Sequence, residues 1–139
     1  TGDSYGGHRH GDNLFTNSVV ALDLTTGERQ WHFQTTHHDV WDWDIPAAPI
    51  LLDLTIDGRN TAAIAQPVKQ GFTFVFDRAT GEPLFDIEEV PVPASDVPGE
   101  RLSPTQPIPV KPPSFARQGL SDDELIDFVR EWSEKHPYK

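Results

Sequence analysis

Residues 21–31 read Ala-Leu-Asp-Leu-Thr-Thr-Gly-Glu-Arg-Gln-Trp, and residues 75–85 read Val-Phe-Asp-Arg-Ala-Thr-Gly-Glu-Pro-Leu-Phe. Asp23, Thr26, Gly27 and Glu28 recur as Asp77, Thr80, Gly81 and Glu82, and Trp31 recurs as Phe85, at a constant offset of 54 residues. A period of this size marks a propeller, a solenoid or an array. Each copy reads as two strands joined by a tight turn. The segments 17–23 and 72–77 are rich in β-branched and aromatic residues. The Thr-Gly pairs supply the positive φ that a hairpin turn needs. The aromatic residue eight positions after each Asp is expected to begin a second strand and point into a core.

Between the copies, Ile50–Leu54 and Thr61–Gln66 flank the turn signal Asp57-Gly58. One unit is therefore expected as four antiparallel strands over 48–54, 61–66, 72–77 and 84–88. Four strands in about 50 residues describe a propeller blade. The chain divides into a blade segment over 1–90, a proline-rich part over 91–120 and a short acidic helix with a tail over 121–139. Eight of the thirteen prolines fall between Pro91 and Pro113. That density excludes helix interior and central strand, so an extended, polyproline-like excursion is expected there. Ser121-Asp122-Asp123-Glu124 has the pattern of a capping box, ahead of a helix over about 121–135. The fold class is all-β: about one and a half propeller blades, the excursion and the helix.

Composition narrows the function. The 139 residues carry 22 acidic and 11 basic side chains, for a net charge of −11. That argues against nucleic acid as a partner, which needs a basic face. No apolar run approaches the ~20 residues of a membrane span. The absence of cysteine excludes disulfides, thiolate metal sites and cysteine nucleophiles. The first residue is Thr1 rather than Met and no signal peptide is visible, so the chain is expected to be cut or processed from something longer.

The densest chemistry is His37-His38-Asp39-Val40-Trp41-Asp42-Trp43-Asp44-Ile45-Pro46. One reading is a loop whose Asp residues cap backbone N–H groups and whose tryptophans fill the gap between blades. The other is a metal-assisted or acid–base site. Topology bears on the choice. In an antiparallel blade, the between-blade connection and the connection from second to third strand lie on one face. These are 37–46 and Pro67-Val68-Lys69-Gln70-Gly71 here, so Asp42 and Lys69 should meet, with both Thr-Gly turns on the opposite face. A carboxylate and an ammonium brought together by different loops form a candidate base and electrophile.

These residues resemble a known family. The 21–31 copy is similar to the tryptophan-docking motif of quinoprotein dehydrogenases, which carry pyrroloquinoline quinone (PQQ) in an eight-bladed propeller. His38 to Ala47 resembles the active-site loop of the membrane-bound glucose, quinate and polyol branch. Pro67–Gly71 resembles its lysine loop, and Ser103-Pro104-Thr105-Gln106-Pro107 its proline-rich stretch. The similarity runs from about Gly6 to Leu120. It implies oxidation of a sugar, polyol or cyclic alcohol by hydride transfer to the quinone, with Asp42 as the base. Lys69 would hydrogen-bond the quinone oxygens. A divalent cation, usually calcium, or a lanthanide would polarise the same carbonyl, with Asp42 and Asp44 as candidate ligands. Trp31 and Phe85 would dock blades. The resemblance further implies a periplasmic protein, anchored to the inner membrane through segments absent here, that passes electrons to ubiquinone or a cytochrome. The family's metal-ligating glutamate and asparagine, and the tryptophan beneath the quinone, lie outside this chain. The remainder of the propeller would be needed for folding, and the isolated chain is expected to be inactive.

Two alternatives belong to other classes. Propellers with similar repeats serve as non-catalytic scaffolds of the cell envelope, but a scaffold has no reason to keep Trp41-Asp42-Trp43-Asp44 together with Lys69. A generic zinc-binding domain would use His8, His10, His37 and His38.

Overall fold

The computed structural model describes residues 4–121 and Glu124. Every regular element among them is a strand. β1 (Ser18–Leu22) and β2 (Arg29–Gln34) form an antiparallel hairpin, with an irregularity in register between Ala21 and Leu22. β3 (Ile50–Ile56), β4 (Arg59–Pro67) and β5 (Thr73–Asp77) form an antiparallel sheet in that order, with β4 central. β6 (Ile87–Pro91) and β7 (Thr105–Pro109) form a second two-stranded ribbon. No helix of the described residues is long and apolar enough to cross a membrane.

The two repeat copies fold alike. In the first, Asp23 Oδ1 accepts the N–H groups of Thr25 and Thr26 at 2.8 and 2.9 Å, and Gly27 N–H donates to the Asp23 carbonyl at 2.8 Å. In the second, Asp77 Oδ1 accepts from Ala79 and Thr80 at 2.8 and 3.0 Å, and Gly81 donates to the Asp77 carbonyl at 2.9 Å. Gly27 and Gly81 have φ of 74° and 75°, the left-handed backbone that glycine adopts without penalty. The turn N–H groups hold both aspartates below the usual carboxylate range, Thr26 then Thr25 acting on Asp23, and Thr80 then Ala79 on Asp77.

The core lies where the two blades meet. Phe74 and Phe76, two apart on β5, present their rings to one side. Phe33 of β2 packs on both, at centroid distances of 5.4 and 4.8 Å, and Trp31 lies 6.0 Å from Phe76. Val19, Ile64 and Val68 complete the cluster. Trp31 then reaches the second copy's turn, its Nε1–H donating to the Arg78 carbonyl at 3.2 Å.

Three expectations need correction. The fourth strand expected over 84–88 is reduced to a single bridge between Phe76 and Pro83, with Leu84 N–H donating to Val75 O at 2.9 Å. Phe85, the expected second docking residue, therefore begins no strand; it is half-buried. Residues 87–91 turn away and pair with part of the proline-rich stretch, which is not polyproline-like throughout. The reason is register. Pro91, Pro107 and Pro109 pair with Thr105, Glu89 and Ile87. Val110 N–H donates to Asp86 O and Val92 N–H to Pro104 O, so the even-numbered positions carry the ladder. Pro91, Pro107 and Pro109 occupy the alternate positions, whose nitrogens face away from the partner strand and need no hydrogen, while Pro104 joins the ladder only through its carbonyl.

The helix expected over 121–135 lies outside the described residues apart from Ser121 and Glu124. Glu124 Oε2 accepts the Ser121 N–H at 2.9 Å, one half of a capping box. Arg117 and Ser121 pull the Glu124 carboxyl down to about 2.

Candidate active site

The loop after β2 and the loop between β4 and β5 converge as antiparallel alternation requires. Lys69 Nζ donates to the Asp42 carbonyl oxygen at 2.7 Å and to Asp42 Oδ2 at 2.8 Å. The two residues are 27 apart in sequence and no regular ladder joins them, so side-chain chemistry makes the contact. The hydrogen bond from Lys69, followed by one involving Asp44, holds the Asp42 carboxyl below the usual range. Asp42 in turn raises Lys69 above the ordinary lysine value, with smaller contributions from Asp44 and Asp39. The side chains of Lys69 and Asp42 are 48% and 46% exposed. A pair that open to water adds little stability. Its significance is placement: a fixed carboxylate beside a fixed cation on an open surface.

Within the loop the carboxylates divide the work. Asp39 is 1% exposed, and its Oδ1 accepts Trp41 N–H while its Oδ2 accepts Trp43 N–H, both at 2.9 Å. The capping reading therefore holds for Asp39 and the exposed-site geometry for Asp42. Trp41 and Trp43 stack on each other, 4.6 Å between centroids and 24° between planes. They line a cavity of about 460 Å³ with Gln70, Phe72, Gln106 and Arg117 among its other walls. The tryptophans thus both wall a cavity and pack within the loop.

The histidines do not assemble a metal site. His37 Nδ1 lies 2.8 Å from Gln34 Oε1 and its Nε2 3.2 Å from Glu89 Oε1. His38 is buried with Nδ1 2.6 Å from Gly11 O. His8 packs edge-on against Tyr5 at 5.0 Å. Among the described residues, which include His8, His10, His37 and His38, no three His, Asp or Glu side chains gather to hold a metal ion. The four histidines of the zinc-domain reading are not brought together into a ligand cluster. Asp42 and Asp44 remain as two neighbouring hard oxygen donors.

Two supporting residues escaped the sequence reading. Gln106, 5% exposed, accepts the His37 N–H through Oε1 at 2.8 Å and donates from Nε2 to His37 O at 2.7 Å. It ties the proline-rich arm to the loop from 69 residues away, and no local pattern announces that. Asn17 donates from Nδ2 to Asp39 Oδ2 at 2.8 Å and to the Trp43 carbonyl at 3.1 Å. Its φ of 48° lies in the left-handed region that Asn tolerates, and that shows only in the structure.

Comparison with known proteins identifies the family. The family model for the PQQ glucose/ethanol/alcohol dehydrogenase β-propeller domain matches residues 1–137. The chain belongs to the PQQ-dependent dehydrogenase propeller family. It is 42% identical over 125 residues to a probable quinate dehydrogenase (quinone) of Xanthomonas campestris pv. juglandis, covering 88% of this chain and 16% of that protein. It is 43% identical over 108 residues to the quinoprotein glucose dehydrogenase of Escherichia coli strain K12, covering 77% of this chain and 14% of that protein. A europium-containing methanol dehydrogenase superposes with a TM-score of 0.53 at 28% identity, covering 71% of this chain and 18% of that one. The chain thus spans 14–16% of the length of these curated relatives.

Proposed function

We infer that this chain is the active-site segment of a PQQ-dependent dehydrogenase that oxidises a sugar, a polyol or a cyclic alcohol. The observation that carries the reading is the Lys69–Asp42 contact, 2.8 Å between Nζ and Oδ2. When bound, the quinone supplies a two-electron acceptor and a calcium-type or lanthanide cation supplies Lewis acidity. Asp42 would take the substrate hydroxyl proton on its carboxylate while the carbon-bound hydrogen, with its electron pair, went to the two-electron acceptor, giving a carbonyl product. Lys69 would offer its ammonium to the oxygens of the acceptor.

The donor set fits this assignment as a contribution to a larger site. Calcium takes six to eight oxygens, and Asp42 and Asp44 offer hard carboxylate oxygens beside one another. The lowered pKa of Asp42 makes it a weaker base while Lys69 is bound to it. Drawing Lys69 toward another oxygen acceptor removes the largest cause of that lowering and strengthens the base where substrate sits. A non-catalytic scaffold leaves the exposed pair without a role.

The test uses the complete dehydrogenase carrying this segment. Asp42→Asn should abolish dye-linked alcohol oxidation while PQQ absorbance is retained. Loss of bound quinone instead would make Asp42 a structural residue. The 139-residue chain alone, reconstituted with quinone and calcium, should turn over no substrate; appreciable turnover would show that two carboxylates and a lysine suffice.

A further inference from the structure

We propose that Asp39 is the positioning residue that sets Asp42 against Lys69. Asp39 is 1% exposed, and a buried carboxylate is costly unless hydrogen-bonded. Three N–H donors satisfy it: Trp41 N to Oδ1, and Trp43 N and Asn17 Nδ2 to Oδ2. The Asp39 carbonyl also accepts from Arg9 at 2.9 Å, which fixes the residue's own backbone. Hydrogen bonds to a charged acceptor are the stronger kind.

The two amides held by Asp39 are those on either side of Asp42. Pinning both leaves the intervening residue little freedom, and Asp42 sits at φ 58°, in the left-handed region that non-glycine residues rarely enter. The consequence is directional. Trp41 and Trp43 stack together, while the Asp42 carbonyl and carboxylate both turn to Lys69. An unpinned loop would let Asp42 relax to an extended backbone and lose the two-point contact. The Asp39 charge also reaches Lys69 and favours its ammonium form.

This inference rests on Asp42 being the base, and the experiment separates the two ideas. In the complete dehydrogenase, Asp39→Asn keeps the side chain's shape but turns one oxygen into an NH2 group facing an N–H donor. Asn17→Gly tolerates the positive φ and deletes the amide that braces Asp39. Amide hydrogen exchange at Trp41 and Trp43 should accelerate about tenfold or more in Asp39→Asn, the loss of about one charge-assisted hydrogen bond. That readout needs no turnover. kcat should fall about 10- to 100-fold, the scale of a misplacement near 1 Å, with KM and PQQ content unchanged. Asn17→Gly should move the same quantities less, and the double variant should lose no more than Asp39→Asn alone, because both act through one clamp. If Asp39→Asn does not fold, Asn17→Gly carries the same readouts. Unchanged exchange, unchanged kcat, additive losses or a loss confined to KM or PQQ content would each overturn the proposal. Asp42→Asn with full turnover would instead remove the base assignment, and the exchange rates would then decide whether Asp39 clamps the loop.

Discussion

Trp31 lies so close over Gly81 that a Cβ built on that glycine would sit 2.6 Å from the indole Cδ2. Gly27, at the equivalent position of the first copy and with nearly the same φ, has nothing within 4 Å of the same point. The two glycines therefore separate backbone strain from contact. Gly27→Ala should cost about 1–2 kcal/mol for the left-handed backbone alone. Gly81→Ala should cost that and a further ~1–3 kcal/mol for displacing a packed ring. Urea denaturation of the complete dehydrogenase carrying each variant measures the difference. Equal losses would mean that Trp31 moves aside freely and does not join the blades.

Some of this was legible in the sequence and some was not, for physical reasons. The turns at Asp23 and Asp77 were legible because Asx turns and glycine at positive φ are local chemistry. The meeting of Asp42 and Lys69 was legible because strand direction alternates, which places two loops on one face without knowledge of any contact. The β6–β7 ribbon was not. Proline reads as a breaker, and whether its nitrogen faces a partner strand depends on register, which appears only once Glu88 is seen to pair with Ile108. The division between Asp39 and Asp42 was also hidden. Both are aspartates in one loop, and only burial reveals that the first caps N–H groups while the second faces Lys69.

Lys69 provides the second prediction, made on the complete dehydrogenase. Lys69→Ala removes the donor aimed at developing charge and should lower kcat about 10²- to 10³-fold, the scale of losing one such donor. Lys69→Arg keeps a cation and N–H donors and should lose less, although its planar fork cannot reproduce both contacts of a compact ammonium. Steady-state kinetics on the two variants checks this. A Lys69→Ala enzyme that loses only KM would place Lys69 in substrate binding.

Acid should weaken the fold through the carboxylates whose pKa values are lowered on folding, which among the described residues are Asp23, Asp42, Asp77, Glu100 and Glu124. Asp23 and Asp77 are held down by turn N–H groups, and Asp42 chiefly by Lys69. For such groups the stabilisation is complete above the unfolded value, about 4, and disappears as pH falls through the folded values. Lys69 is raised, so its contribution is complete below about 10.4 and disappears as pH rises beyond its folded value. These groups leave stability flat from about pH 5 to 9. Asp23→Asn with Asp77→Asn keeps an acceptor oxygen in each turn without a titrating proton, and should flatten the acid limb. Urea midpoints measured from pH 2 to 7 would contradict this if the limb were unchanged.

Gln106 is the sharpest test of how the proline-rich arm is attached. Its amide makes a two-point contact with the His37 backbone, accepting at 2.8 Å and donating at 2.7 Å, in a position 5% exposed. Gln106→Glu retains the acceptor and replaces the donor with a second oxygen facing the His37 carbonyl. A buried acceptor left without its donor costs about 1–3 kcal/mol, and the opposed oxygens add to it. Gln106→Met removes both partners at similar volume and leaves the His37 N–H and C=O unpaired. Both variants should lower the unfolding midpoint, and both should expose 92–104 to limited proteolysis before the β3–β5 sheet is cut. Because the contact touches His37 and not Asp39, amide exchange at Trp41 and Trp43 should change little. If those amides accelerate as expected for Asp39→Asn, the arm and the 37–46 loop form one cooperative unit rather than two joined at His37.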